Sequence, residues 1–360
     1  MREERSLSRS TESPSTSKVA QLVAAVSHAT GDVTWREAFR RGFVGLQADL
    51  NLHPSETTPT ATFEMAADTA RSVSAECLPL GIALVMHLYP LCALRCVPLP
   101  WWSTANLRRT RLLRDIDARS LILANAGSER ASGAHAPVRV VRTRDGIQVD
   151  GTFQYVSLAH VANVVFFSAP IKGTPCAMFC AAEMDGESVR IGDSQFSGSM
   201  QASDTCSLTF DSHRVPADRC IVVPSASALN CMAQYQRSWF QLLLGEAYLA
   251  RIEQLRRWWE LPRSAMDIAS LNEVGLLKEY SLRLLDDAGS AGAVEMLSRV
   301  TAAMKLRISL HAQSTAAALR TLDDTAAKEL GYFRLQPTSD ERILRSIGAV
   351  ATTPTSCAAA

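Results

Sequence analysis

A chain of 360 residues with 47% apolar and 20% charged side chains can bury a large core and is long enough for two or three domains. Its net charge of +1 and pI near 7.6 give no electrostatic case for nucleic acid or for an anionic membrane surface. Nine cysteines include no Cys-x-x-Cys, and no histidine completes a zinc-site spacing around Cys92/Cys96 or Cys176/Cys180, so free thiols in a reducing cytoplasm are expected.

Residues 1–18 are rich in Ser, Thr, Arg and Glu and are expected to be disordered. Met1-Arg2-Glu3-Glu4-Arg5-Ser6 lacks the apolar run of a secretion signal. Helical spacing begins at Val19, Leu22, Val23 and Val26 and resumes at Trp35, Ala38 and Phe39. Pro54 and Pro59 mark residues 51–60 as a loop, and 62–94 is helical again, with Ala66, Ala67, Ala70, Ser74 and Ala75 suiting close packing. Leu78 to Leu94 is the most apolar run, yet Pro79, His87 and Pro90 interrupt it. It is also shorter than the ~20 residues a bilayer needs, so a buried core helix is predicted. Residues 105–119 form an amphipathic helix, which makes 19–126 an N-terminal helical domain.

At residue 127 the pattern changes. Short β-type runs at 138–141, 147–149, 154–157, 163–169 and 177–182 are parted by turns such as Arg144-Asp145-Gly146 and Asp185-Gly186. They predict a central β-barrel or sandwich over 127–224. Helical pattern returns over 229–261, 271–287 and 294–330, giving a C-terminal helix bundle at 225–350 and a tail at 351–360. The fold class is therefore α+β and multidomain. The basic clusters Arg40-Arg41, Arg108 to Arg111 and Arg256-Arg257, and Lys305, are expected on solvated faces.

The organising stretch runs from Gly192 to Val223. Cys206, Leu208 and Phe210 alternate with Ser207, Thr209 and Asp211, the period of a half-buried strand, and Val215-Pro216 stops it. The run Ser199-Met200-Gln201-Ala202-Ser203-Asp204-Thr205, followed by Phe210-Asp211 and Val215-Pro216, resembles the acyl-CoA dehydrogenase family. In that family a Gly-Met-Arg-(Ala/Gly)-Ser-x-Thr segment closes the β-domain. The order helix, β, helix is also that family's.

The resemblance implies FAD between the β-domain and the bundle, helix-mediated homodimers or homotetramers, and an acyl thioester substrate on CoA or an acyl carrier protein. Ser128-Glu129-Arg130-Ala131-Ser132-Gly133-Ala134 resembles Thr-Glu-Pro-Gly-x-Gly-Ser. That match implies a flavin hydroxyl at Ser128 and substrate contacts at Gly133 and Ala134, where the serine hydroxyl is lost. Gly151-Thr152-Phe153-Gln154-Tyr155-Val156-Ser157 resembles Gly-x-Lys-x-(Trp/Tyr)-Ile-Thr, which implies that Tyr155 and Ser157 line the isoalloxazine. A hydroxyl donor there would stabilise the reduced ring. On the residues alone, strand packing for Tyr155 and a turn for Ser157 are the simpler reading; the match at 199–216 favours flavin. Arg257 or Arg263 either meets the flavin pyrophosphate or lies at the surface.

The family's glutamate base has two locations, and neither keeps a carboxylate: Gln236 stands at one and Thr353 at the other. Glu246 could bring a carboxylate to the cavity, or lie at the surface with Glu253. His87 either borders the substrate cavity or is a core histidine. The expected function is an acyl-CoA dehydrogenase-like flavoprotein oxidoreductase on an acyl thioester, of a divergent kind such as serves secondary metabolism, with an electron acceptor. The alternatives are a monooxygenase of the same fold, served by a flavin reductase because no Gly-x-Gly-x-x-Gly is present, and a non-catalytic scaffold.

Overall fold

The computed structural model describes residues 37, 39–40, 58–100, 103–126, 138–170, 177–196 and 198–335. The expectations for 1–18, for most of 19–57 and for the tail lie outside them. Thr58 caps α1 (Pro59–Glu76) by accepting the Ala61 N–H, and Pro59 fills the first turn, where no N–H is needed. The predicted 62–94 helix is two helices: Cys77 is extended, and α2 (Leu78–Cys96) starts anew. By length and composition α2 could cross a membrane, but 89% of its most apolar window is buried, against α1, the long helix described below and the β-layer. Helix α3 (Thr104–Arg119) is capped by Ser103.

Two four-stranded sheets follow. One has the order β1 (Leu123–Asn125), β4 (Val164–Pro170), β5 (Ala177–Glu183), β8 (Cys220–Val223). The other has the order β2 (Arg139–Arg142), β3 (Gly146–Val156), β7 (Cys206–Pro216), β6 (Val189–Ser194). Strand β1 lies within the stretch expected to be helical, three residues being too few to show a period, and it pairs parallel to β4. The 147–149 and 154–157 runs are one strand. Along β7 the buried set 206, 208, 210 changes phase to 213 and 215, because Ser212 sits in a bulge (φ 51°) whose N–H is taken by Asp150 Oδ1. The stretch from Gly192 to Val223 thus supplies strands to both sheets.

The bundle is α4 (Ala226–Trp258), α5 (Ala265–Asp286), α6 (Ala291–Leu319) and α7 (Asp324–Gly331). Helix α4 is buried on most of its circumference, including Tyr235, Trp239, Leu243, Ala247 and Tyr248, because α1, α2 and α6 all pack on it. A Cβ at Gly245 would lie 2.8 Å from Ile308 Cδ1, so glycine permits the close approach of α6. Two basic residues depart from their expected solvated faces. Arg256 is buried between Asp267, Thr315 and the Pro262 carbonyl. Lys305 is fully buried, its ammonium 5.5 Å from the Phe333 ring centroid, because α6 is covered by α4, α5 and α7 together.

Candidate functional site

The end of β3 and the segment that precedes β7 meet in a small polar knot. Strand β3 loses its regular pairing between Phe153 and Val156, and Tyr155 takes a left-handed backbone (φ 57°) that turns its ring outward, 53% exposed. The Tyr155 ring lies 6.1 Å from Phe196, which is 5.6 Å from Tyr332 of the C-terminal 3-10 turn. An aromatic tier therefore spans from the sheet to the bundle.

Ser157, two residues on from Tyr155, is buried. Its Oγ lies 2.8 Å from Thr205 Oγ1, which lies 2.8 Å from Ser203 Oγ, and Ser203 donates to the Met200 carbonyl at 2.8 Å. A hydroxyl has one proton, so the chain has a direction. Ser203 spends its proton on the carbonyl, Thr205 gives its own to Ser203, and Ser157 donates to Thr205. Ser157 is left presenting lone pairs, an acceptor rather than the donor expected of it.

The turn after Ser157 is tied to the same segment. Leu158 N–H donates to the Ser203 carbonyl, Ala159 N–H to the Asp204 carbonyl, and His160 N–H to Asp204 Oδ2 at 2.7 Å. His160 Nδ1 lies 2.7 Å from Asp204 Oδ1, and Cys206 Sγ lies 3.9 Å from the same nitrogen. Arg40 Nε holds the Val161 carbonyl from outside. Tyr155, Leu158 and Asp204 all have positive φ without being glycine. Each such residue costs about 1–3 kcal/mol, and three within one knot is the clustering seen where geometry serves a site.

No family model and no curated protein matches this sequence. Solved structures do match in shape. TdsC from Paenibacillus sp. A11-2, a dibenzothiophene monooxygenase solved with FMN and indole, aligns with TM-score 0.71 and 14% identity over 94% of this chain and 96% of that one. KijD3, solved with FMN and a dTDP-linked amino-keto sugar, gives 0.69 and 15% over 93% and 91%. FkbI, from biosynthesis of a methoxymalonyl extender unit, gives 0.66 and 16% over 94% and 99%. TdsC and KijD3 were solved with FMN, and all three share one architecture. This chain has the acyl-CoA dehydrogenase fold.

Within that fold the other candidate residues take definite places. Ser128, Gly133, Ala134 and Thr353 lie outside the described residues. His87 is fully buried on α2, where its Nδ1 accepts the Leu123 N–H at 3.0 Å; burial and then the Arg95 charge push it down to about 3, so the ring is neutral. Glu246 is not at the surface. It is buried between Arg71 of α1 and Lys278 of α5, the latter at 3.1 Å. Arg263 pairs with Glu253, and Arg257 is exposed. Gln236 Nε2 donates to Asn125 Oδ1 at 3.2 Å, tying α4 to the end of β1. A narrow, mostly apolar cleft reaches this amide, walled by Leu94 of α2, Val97 just after it, Phe179 of β5 and Tyr235. Neither the hydroxyl chain nor the His160–Asp204–Cys206 cluster was anticipated, although Ser203, Asp204 and Thr205 stood in the quoted motif. Their meeting with 157–160 depends on the β3–β7 register.

Proposed function

We propose that this chain is a flavin-dependent oxidoreductase of the oxygenase kind, supplied with reduced flavin by a separate reductase. The observation that carries the reading is Gln236. Where the family resemblance puts a dehydrogenase's glutamate base, this chain has an amide bonded to Asn125, and Glu246 is committed to Arg71 and Lys278. A neutral amide cannot remove the α-proton of a thioester. Oxygenation requires no such carboxylate, and the neighbour TdsC is a monooxygenase.

The residues present fit a flavin. Tyr155 offers an exposed aromatic face beside Phe196, and Ser157 offers a hydroxyl lone pair suited to the protonated N5 of a reduced ring. Ser128 is the further flavin contact that the resemblance implies. Bound there, a flavin supplies two-electron reduction and, once reduced, reaction with oxygen. FMN is the form favoured, being the flavin named with both KijD3 and TdsC, in place of the FAD expected from the dehydrogenases. The substrate class is the acyl thioester, on CoA or a carrier protein, that the family resemblance implies, with Gly133 and Ala134 as its contacts.

Flavin titration followed by fluorescence tests the first step. Binding tighter than about 10 μM, with FMN preferred over FAD, is expected. Failure to bind either flavin more tightly than ~1 mM overturns the reading in favour of a scaffold. The second step is product formation from reduced flavin. Dependence on oxygen supports the oxygenase, whereas rapid anaerobic bleaching of oxidised flavin by an acyl-CoA identifies a dehydrogenase.

A further inference from the structure

The His160–Asp204–Cys206 cluster has no part in the reading above, and its chemistry points elsewhere. We propose that these three side chains form a binding site for a borderline transition-metal dication, Zn2+ or a cation of its kind. The ligating atoms of the three residues all lie within 4.8 Å of one another. Metal–ligand bonds of about 2.0–2.3 Å in a tetrahedron place neighbouring ligand atoms roughly 3.3–3.8 Å apart. His160 Nδ1 and Cys206 Sγ, at 3.9 Å, are already near that spacing, while Nδ1 and Asp204 Oδ1, at 2.7 Å, must open by about half an ångström. His160 is the member free to make that shift, its side chain being 29% exposed against 3% for Asp204.

The donor set names the metal class. An imidazole nitrogen, a thiolate sulfur and one carboxylate oxygen suit zinc-like cations and not the all-oxygen preference of Ca2+ or Mg2+. A thiolate and a carboxylate balance a dication, so a buried site carries no net charge. A supporting contact is also in place, since Asp204 Oδ2 is held by the His160 N–H and its other oxygen keeps its aim. The open side at His160 leaves room for water as a fourth ligand and for entry of the ion.

Binding changes protonation in a defined way. Cys206 binds as the thiolate, its proton going to solvent, and His160 binds through an Nδ1 lone pair with its ring proton on Nε2. Affinity therefore rises with pH. Because Thr205 lies between two of the ligands and accepts the Ser157 hydrogen bond, the metal would also stiffen the turn that carries Ser157. The site stands independently of whether a flavin binds.

The test titrates the full-length chain with Co2+, read in the red d–d region where flavin does not absorb, with Zn2+ as competitor. One equivalent with tetrahedral intensity, displaced by Zn2+, is expected. Cys206→Ser and His160→Gln should each weaken Zn2+ by more than about 100-fold, and Asp204→Asn by about 10- to 100-fold, while Cys92→Ser leaves it unchanged. No stoichiometric binding by the folded protein overturns the proposal, as does binding that survives unchanged in His160→Gln. That variant alters the most exposed ligand, so it keeps the test decisive if Cys206→Ser does not fold.

Discussion

His87 accepts a backbone N–H from inside the core, and that position sets a pH dependence. Its pKa falls from the ordinary 6.5 to about 3 on folding, so between those values the unfolded chain binds the extra proton and the folded chain does not. Stability is therefore expected to drop as pH falls below 6.5, at up to about 1.4 kcal/mol per pH unit, until about pH 3. His87→Gln, which keeps an acceptor but cannot titrate, should flatten that part of a denaturant-midpoint-versus-pH curve. An unchanged slope would place the proton uptake elsewhere. At Ser157 the expected effect is on binding and on stability: Ser157→Ala should weaken flavin by about tenfold, the worth of one hydrogen bond, and cost about 1 kcal/mol of stability because buried Thr205 loses a donor. Identical flavin affinity in the variant would remove Ser157 from the site.

Among the elements, two ion clusters staple the bundle. Glu246 on α4 joins Arg71 on α1 to Lys278 on α5. Glu246→Ala is expected to cost about 2–3 kcal/mol, less than a fully buried pair, because both partners keep some water contact. If Glu246 were instead a base, Glu246→Gln would abolish turnover at unchanged stability, which separates the two roles. Asp267 does more. It closes the capping box with Ser264, meets Arg256 at 3.2 Å and His311 at 3.2 Å, and so fixes α5 to both α4 and α6. Ser264→Ala should cost about 1 kcal/mol, the value of a cap, and Asp267→Ala about 3–5 kcal/mol by stranding a buried arginine. Urea unfolding midpoints distinguish them.

For the molecule as a whole, the outer face of α5 leaves Met266 79%, Leu276 68% and Tyr280 46% exposed. Leu276 and Tyr280 share one face at i, i+4, an apolar surface of the sort that subunits cover. A homo-oligomer is expected in sedimentation, and Leu276→Asp should dissociate it; a monomeric parent would rule the interface out. The oxygenase reading belongs to this scale too, since it needs bundle and sheets together: Tyr155 meets Tyr332 through Phe196, and Gln236 meets Asn125.

Local pattern alone determined much of the architecture. Alternation identified β7 over 206–211 and Val215-Pro216 its end, helical period identified α1 to α6, and the Ser203–Thr205 motif pointed to the fold that the solved neighbours share. These features repeat within a few residues, so side-chain periodicity carries them. It could not locate β1, which is too short to repeat, or the break at Cys77, where the apolar pattern runs on across a change of backbone. Nor could it say that Arg256 and Lys305 are buried, because charge predicts exposure until three helices close around one position. The direction of the Ser157–Thr205–Ser203 protons and the meeting of His160, Asp204 and Cys206 were decided only by tertiary structure. They join residues more than forty positions apart, and only the register of β3 on β7, with the left-handed turns at Leu158 and Asp204, brings those groups within bonding distance.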